Sequence, residues 1–348
     1  MSEAFTLQRE APLRRLNTMG VAASASKLAR VNAAAAVPLA LEQAQAGDEP
    51  VLVLGEGSNL LFVSDFDGLV LQLAFDDVRI VDQSQDSALV RVEAGHVWDS
   101  FVDWTLAQGL AGLENLALIP GLAGAAPIQN IGAYGVEVRQ FLESVEAWDR
   151  SRSRFVTLDN TECCFGYRDS LFKRDNDRWV VTAVSFRLPR SRTPTLDYKG
   201  IGAALTDAGI RQPTASDVAA AVRRLRRAKL PYPDELGNAG SFFKNPVIAD
   251  KAAQRLSAEY AELPVYPAGP GEAKISAAWL IEYCGWRGHR QGDAGIALKH
   301  ALVLVNHGAA TGRELLTLAR RVADSVEARF GIRLEPEPRI IGECFGGS

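Results

Sequence analysis

The chain has 348 residues, a formal net charge of −4, 47% hydrophobic and 23% charged residues, and four cysteines. That length exceeds what one hydrophobic core usually organises, so two or three domains are expected. The small net charge excludes bulk electrostatic binding to nucleic acid, and no apolar run approaches the roughly 20 residues needed to cross a bilayer, so neither nucleic-acid binding nor membrane insertion is expected.

The N-terminus, MSEAFTLQRE, has no apolar signal core after a basic start, and a cytoplasmic protein is expected. Residues 31–46 are Ala-rich with a helical pattern, with Pro38 in the interior. Residues 51–54 (VLVL) read as a short strand running into Gly55-Glu56-Gly57-Ser58-Asn59. Strands are expected at 68–73 and 88–92, and a helix at 97–107. The stretch 109–135 holds six glycines and two prolines. It is long for an unstructured connection, which points to binding. Strands return at 145–148, 154–158 and 179–188, giving an α+β first half.

Composition changes after about residue 189, and 191–194 reads as a linker. Ser216 can cap a helix reaching about 228, with Val218, Val222 and Leu225 on one face. Thr311 and Glu314 form a capping-box pattern. It opens the clearest helix, striped by Leu315, Leu318, Ala319, Val322, Val326 and Phe330 and stopped by Gly331. A short strand at 332–334 is expected before Glu335-Pro336-Glu337-Pro338-Arg339. The second half reads as a separate α+β domain.

Cys163, Cys164, Cys284 and Cys344 form no C-x-x-C pair, and the four histidines (His96, His289, His300, His307) are scattered. Reduced, packed thiols and no structural metal are expected.

Two glycine-rich stretches carry the strongest chemical signal. In 55–59 the glycines permit close backbone approach to a phosphate, and Ser58 and Asn59 add donors. The stretch is neither a dinucleotide fingerprint, because Leu60 takes the third glycine position, nor a Walker loop. Read alone, it is first of all a tight turn. The second stretch, 119–135 (IPGLAGAAPIQNIGAYG), has no charged residue, and Gln129, Asn130 and Tyr134 are its only large polar groups. Such a loop suits close packing on a flat ring and a diphosphate, or burial between domains.

These stretches resemble the FAD-binding domain of the UDP-N-acetylenolpyruvoylglucosamine reductase family. Gly166-Tyr167-Arg168-Asp169-Ser170, residues 237–246 (GNAGSFFKNP) and Glu335-Pro336-Glu337 resemble the same family, in the same order. The likeness runs from about Leu16 to Gly342. Each motif is weak, but the five together are highly specific.

The resemblance implies an α+β fold: a two-subdomain FAD-binding fold of vanillyl-alcohol-oxidase (PCMH) type plus a C-terminal α+β substrate-binding domain. The expected domains are 16–192, split near 75, then 193–332, with 333–348 returning to the FAD domain. The implied cofactor is FAD, with NADPH as co-substrate. The implied reaction reduces UDP-N-acetylglucosamine enolpyruvate to UDP-N-acetylmuramate in peptidoglycan precursor synthesis, with hydride passing from flavin N5 to the enolpyruvyl terminal carbon. A monomer is expected.

The resemblance also assigns roles. Ser241 is the implied proton donor, because a neutral hydroxyl suits a strongly basic, short-lived carbanion. Arg168 and Glu337 are the implied electrostatic pair on the substrate carboxylate. Without the resemblance an Arg–Glu pair is read as structural. Glu335 competes with Glu337, and the prolines flanking Glu337 favour the latter. Cofactor contacts are implied at Gly55, Glu56, Gly57, Ser58, Asn59, Ile119, Gly121, Gly124, Ala125, Ala126, Gln129, Asn130, Gly132, Ala133, Tyr134, Gly135 and Arg339. Substrate contacts are implied at Tyr167, Tyr198, Lys229, Asn245 and His300. Tyr198 lies in residues 196–200, which look like the longer form of the family with an extra tyrosine loop, and His300 stands where some members have Gln. Two other readings are a different FAD oxidoreductase of the same fold and a non-catalytic flavin or sugar-nucleotide module. No histidine lies in 55–59 or 119–135 to attach flavin covalently, which argues against the first. The second would not require Arg168, Ser241 and Glu337 together.

Overall fold

The computed structural model describes residues 4–45, 49–198 and 200–346. Lys199, quoted above within 196–200, lies outside the described residues. The chain forms two compact units: residues 1–11, 25–56 and 67–228, and residues 12–24, 57–66 and 229–348.

The first unit contains two sheets. One has the order β1 (Phe5–Pro12), β2 (Ser24–Val31), β5 (Phe66–Leu73), β3 (Val51–Leu54). β3 and β5 run parallel, with Val51 opposite Leu69 and Leu54 opposite Gln72. Parallel pairing buries both faces, which is why VLVL has no polar alternation. Helix α1 (Val37–Gln45) covers this sheet through Val37, Ala40 and Leu41. It is shorter than expected. Residue 31 ends β2, a 3-10 turn occupies Ala34–Ala36, and Pro38 falls in the first helical turn, where a missing N–H costs nothing.

The other sheet of this unit has the order β11 (Arg154–Asp159), β10 (Leu142–Asp149), β12 (Trp179–Pro189), β7 (Ser87–Glu93), β6 (Val78–Gln83), all antiparallel. Central β12 is buried almost throughout, while β7 alternates as a half-buried strand does. Helix α2 (Trp98–Ala107) packs Trp98, Phe101 and Val102 into this core, with the Phe101 and Phe186 rings 5.4 Å apart. The short helix α3 (Leu171–Arg174) is capped by Ser170. Helices α4 (Ile201–Asp207) and α5 (Ala215–Lys229) bury Ile201, Leu205, Val218 and Val222 in the same core. That burial groups residues 193–228 with the first unit, not with the second half as the sequence division at 192 had it. The start of α5 is closed by Thr214 and Asp217, whose side chains bond each other's backbone N–H at 2.9 and 3.2 Å, not by Ser216.

The second unit has an antiparallel sheet of β13 (Gly237–Ser241), β19 (Val303–Asn306), β18 (Ala294–Ile296) and β17 (Arg290–Gln291). A second antiparallel sheet joins β14 (Val247–Ala249), β16 (Glu272–Ile275) and β15 (Val265–Gly269). Helices α6 (Asp250–Glu259), α7 (Ala277–Tyr283) and α8 (Gly312–Phe330) share its core. The capping box of Thr311 and Glu314 is present and Gly331 ends α8 at φ 66°. Residues 332–334 form no strand; the last strand is β20 (Arg339–Ile341), parallel to β4 (Leu60–Phe62). This pairing is one reason the tail groups with 57–66 in the second unit.

Candidate active site

In the first unit, the loop after α2 folds over the end of β7. The N–H of Ala123 donates to the His96 carbonyl at 2.8 Å and that of Gly124 to the Ala94 carbonyl at 3.0 Å. A Cβ at Gly124 would lie 2.5 Å from the Ala94 Cβ, so only glycine permits this approach. Glu56 ties the two glycine-rich stretches together, its Oε2 accepting the Gly121 N–H at 2.8 Å. Ala123, Gly124, Ala126 and Asn130 are buried, and Ala125 is exposed. The loop ends in a two-residue ribbon, β8 (Gly132–Ala133) against β9 (Val136–Glu137), with Tyr134 and Gly135 at positive φ in its turn. The result is a close-packed main-chain surface of small residues, edged by Gln129 and Tyr134, with Asn130 buried and no charged side chain of its own. Its chemistry fits a flat, largely apolar ring carrying a diphosphate.

Arg168 stands beside this loop. It adopts φ 52°, uncommon for a side-chain-bearing residue, in a turn where Gly166 and Asp169 bond each other's main chain. Its Nη2 donates to the Gly132 carbonyl at 2.6 Å, and its guanidinium lies 5.7 Å from the centre of the Tyr167 ring. Asn130 donates through Nδ2 to Glu137 at 3.1 Å and to the Gly166 carbonyl at 2.9 Å, joining the loop to the Arg168 turn. Glu137 was not anticipated; a carboxylate seven residues after a buried Asn across a glycine turn was the available signal. The Tyr134 and Tyr198 rings meet edge to face at 4.9 Å. Burial pushes the Tyr134 phenol above its usual pKa, with Arg226 pulling it down and Tyr198 pushing it up.

The second unit holds the other candidates. The Thr18 N–H donates to the Gly57 carbonyl at 3.2 Å, and a Cβ on Gly57 (φ 64°) would lie 2.2 Å from the Leu16 carbonyl oxygen. Asn59 accepts the Arg339 N–H at its carbonyl, 3.0 Å away, and its Nδ2 reaches the Glu337 carbonyl at 3.5 Å. Ser241 ends β13 opposite Val303. Beyond it, Phe243 pairs antiparallel with Pro336, and the Lys244 N–H donates to the Glu335 carbonyl at 3.0 Å. The Lys244 ammonium bridges to the Glu335 carboxylate at 3.1 Å. Asn245 Oδ1 accepts the Ala277 N–H at 3.0 Å, closing the start of α7. Lys229 is exposed at the end of α5. His300 is half-buried and its pKa is lowered, first by burial and then by the charge of Lys229.

Among the described residues, no three His, Cys, Asp or Glu side chains gather to hold a metal, and no helix is long and apolar enough to cross a membrane. The four cysteines are free; burial pushes the Cys163 thiol up to about 12.

Comparison with known proteins adds to this geometry. Residues 25–159 match the FAD binding domain family, and residues 231–341 match the C-terminal domain of UDP-N-acetylenolpyruvoylglucosamine reductase. The chain is 52% identical over 339 residues to the UDP-N-acetylenolpyruvoylglucosamine reductase of Xanthomonas euvesicatoria pv. vesicatoria, covering 97% of each. It is 51% identical over 337 residues to that of Xanthomonas oryzae pv. oryzae, covering 97% of this chain and 99% of the relative. The crystal structure of UDP-N-acetylenolpyruvylglucosamine reductase from Thermus caldophilus matches with a TM-score of 0.67 and 27% identity, over 97% of this chain and 99% of that one. The fold is therefore α+β, an FAD-binding domain followed by the C-terminal domain of this reductase family.

Proposed function

The chain belongs to the UDP-N-acetylenolpyruvoylglucosamine reductase family, and from that premise we propose how its own residues perform the reaction. It is an FAD-dependent oxidoreductase of peptidoglycan synthesis that uses NADPH to reduce UDP-N-acetylglucosamine enolpyruvate to UDP-N-acetylmuramate. When bound, FAD supplies hydride transfer between NADPH and the terminal enolpyruvyl carbon. The close-packed 119–135 loop would hold it in the first unit, with Gly55 and Glu56; Gly57, Ser58, Asn59 and Arg339 are the contacts proposed from the second unit.

Negative charge then develops on the neighbouring carbon, conjugated with the substrate carboxylate. Ser241 delivers the proton to that carbon from its hydroxyl. Arg168 binds the carboxylate through its guanidinium fork and favours the developing charge. Glu337 shares a proton with the same carboxylate. The carbonyl of Gly132 orients the Arg168 fork. Tyr167, Tyr198, Lys229, Asn245 and His300 bind the sugar nucleotide, with Lys229 at its diphosphate. We place the enzyme in the cytoplasm as a monomer, serving cell-wall growth and with it cell shape and division.

The observation that carries these roles is the pairing of 242–244 with 335–337, which puts Ser241 and Glu337 on adjoining chain segments. The test is an anaerobic absorbance titration of the FAD-loaded protein. The flavin band should bleach with NADPH and return with the enolpyruvyl substrate. A band restored only by oxygen would contradict the proposal.

A further inference from the structure

Asn115 lies in a one-turn 3-10 helix, Glu114–Leu116, and its side chain is completely buried, at 0% exposure. Its Nδ2 donates to two main-chain carbonyls: Tyr134, 19 residues on, at 3.0 Å, and Thr195, 80 residues on, at 3.0 Å. Both partners are acceptors, so only the nitrogen end of the amide can face them, and its orientation is fixed by chemistry. Its Oδ1 is buried and receives no hydrogen bond. One small side chain thus fastens the turn of the cofactor loop to a segment, 192–198, that has neither helix nor strand.

That segment carries Tyr198. Its other anchors include the Tyr198 carbonyl, which accepts the Ile201 N–H at 3.2 Å, Arg192, which donates to the Thr195 hydroxyl at 3.3 Å and lies 4.7 Å from the Phe141 ring centre, and Leu196, which packs on the core. Three residues past the anchored Thr195 carbonyl, the chain projects Tyr198, 46% exposed, edge-on to the Tyr134 ring. Both rings of that pair therefore follow directly from main chain that Asn115 holds.

We propose that Asn115 is a positioning residue: its amide clamps the 192–198 segment onto the Tyr134 turn and so presets Tyr198 before substrate arrives. This rests on the reading of Tyr198 as a substrate contact. Presetting removes part of the ordering cost of binding. Loss of the clamp takes the Asn115 donor from two part-buried carbonyls and lets the segment open.

The test uses FAD-loaded protein and the near-isosteric Asn115→Leu variant; Asn115→Asp, of the same size, replaces it if the first does not fold. Two readouts are taken. Chymotryptic cleavage after Tyr198 should quicken roughly tenfold or more relative to cleavage elsewhere in the chain. The KM for the enolpyruvyl substrate should rise about tenfold, with a smaller change in kcat. In a Tyr198→Ala background, Asn115→Leu should add no further rise in KM. Unchanged cleavage, or KM effects that multiply, would overturn the clamp. Faster cleavage combined with a normal KM in Tyr198→Ala would leave the clamp standing and overturn the substrate role of Tyr198.

Discussion

The main-chain N–H of Glu337 donates to the carbonyl of Phe242 at 2.8 Å. Pro336 and Pro338 have no N–H, so pairing along this stretch runs through the main chains of Glu335 and Glu337 alone. The register therefore sets Glu337 beside the residue that follows Ser241. Glu335 is occupied differently: its carboxylate bridges to Lys244 while remaining 71% exposed. That division supports Glu337 rather than Glu335 as the group on the substrate carboxylate.

Arg168→Lys keeps the charge and loses the fork. An ammonium cannot hold the Gly132 carbonyl and grip a carboxylate in two-point fashion. The expected result is a fall of about 10–100-fold in flavin reoxidation by the substrate, with FAD reduction by NADPH little changed. Glu337→Gln, which keeps the shape and removes the shared proton, should act on the same half-reaction by about 100-fold. Stopped-flow traces of the two half-reactions check both.

His300 is held neutral. Its folded pKa lies below the ordinary histidine value, first because it is buried and then because Lys229 repels its charged form. The unfolded chain takes up this proton near pH 6.5 and the folded one resists it. Stability is therefore lost as pH falls from about 6.5 towards the lowered folded value. His300→Gln should lack that loss. Melting curves between pH 7.5 and 5 should show the variant gaining on the parent as pH falls; parallel curves would contradict this.

Asp149 gives an opposite design in the first unit. It is fully buried, and Arg178 grips it through Nε at 3.0 Å and Nη2 at 2.7 Å, with Ser151 adding two more hydrogen bonds. The Arg178 hydrogen bond holds its carboxyl well below the usual carboxylate range. The stabilisation is fully present above the unfolded pKa of about 4 and is lost as pH falls below it. Asp149→Asn should cost about 3 kcal/mol near neutrality. That deficit should shrink on acidification, as measured by denaturant unfolding at pH 7 and pH 3.

Local rules made some of this legible and long-range pairing hid the rest. The Thr311–Glu314 box and Gly331 bracket α8 because both signals act within one turn. VLVL at 51–54 and the apolar run of β12 read as strands because both are buried on two faces. Residues 332–334 looked like a strand, yet the ladder forms at Arg339–Ile341, because the partner, Leu60–Phe62, is some 280 residues away and no local pattern specifies it. Gly237-Asn238-Ala239-Gly240-Ser241 contains two glycines and an asparagine, residues depleted in strands, and it is the pairing with β19 that makes it a strand. Gly132 was expected only at the cofactor, whereas its carbonyl also anchors Arg168. The buried pair Glu114-Asn115, set in an otherwise apolar run, was visible in the sequence, but its partners at Tyr134 and Thr195 were not.

The most direct measurement is the pair of half-reactions in Ser241→Ala, followed anaerobically in FAD-loaded protein. The account predicts that NADPH still bleaches the flavin at close to the parent rate, while reoxidation by UDP-N-acetylglucosamine enolpyruvate slows by about two to four orders of magnitude. Equal slowing of both steps, or unaltered reoxidation, would contradict the assignment of Ser241 as the proton donor.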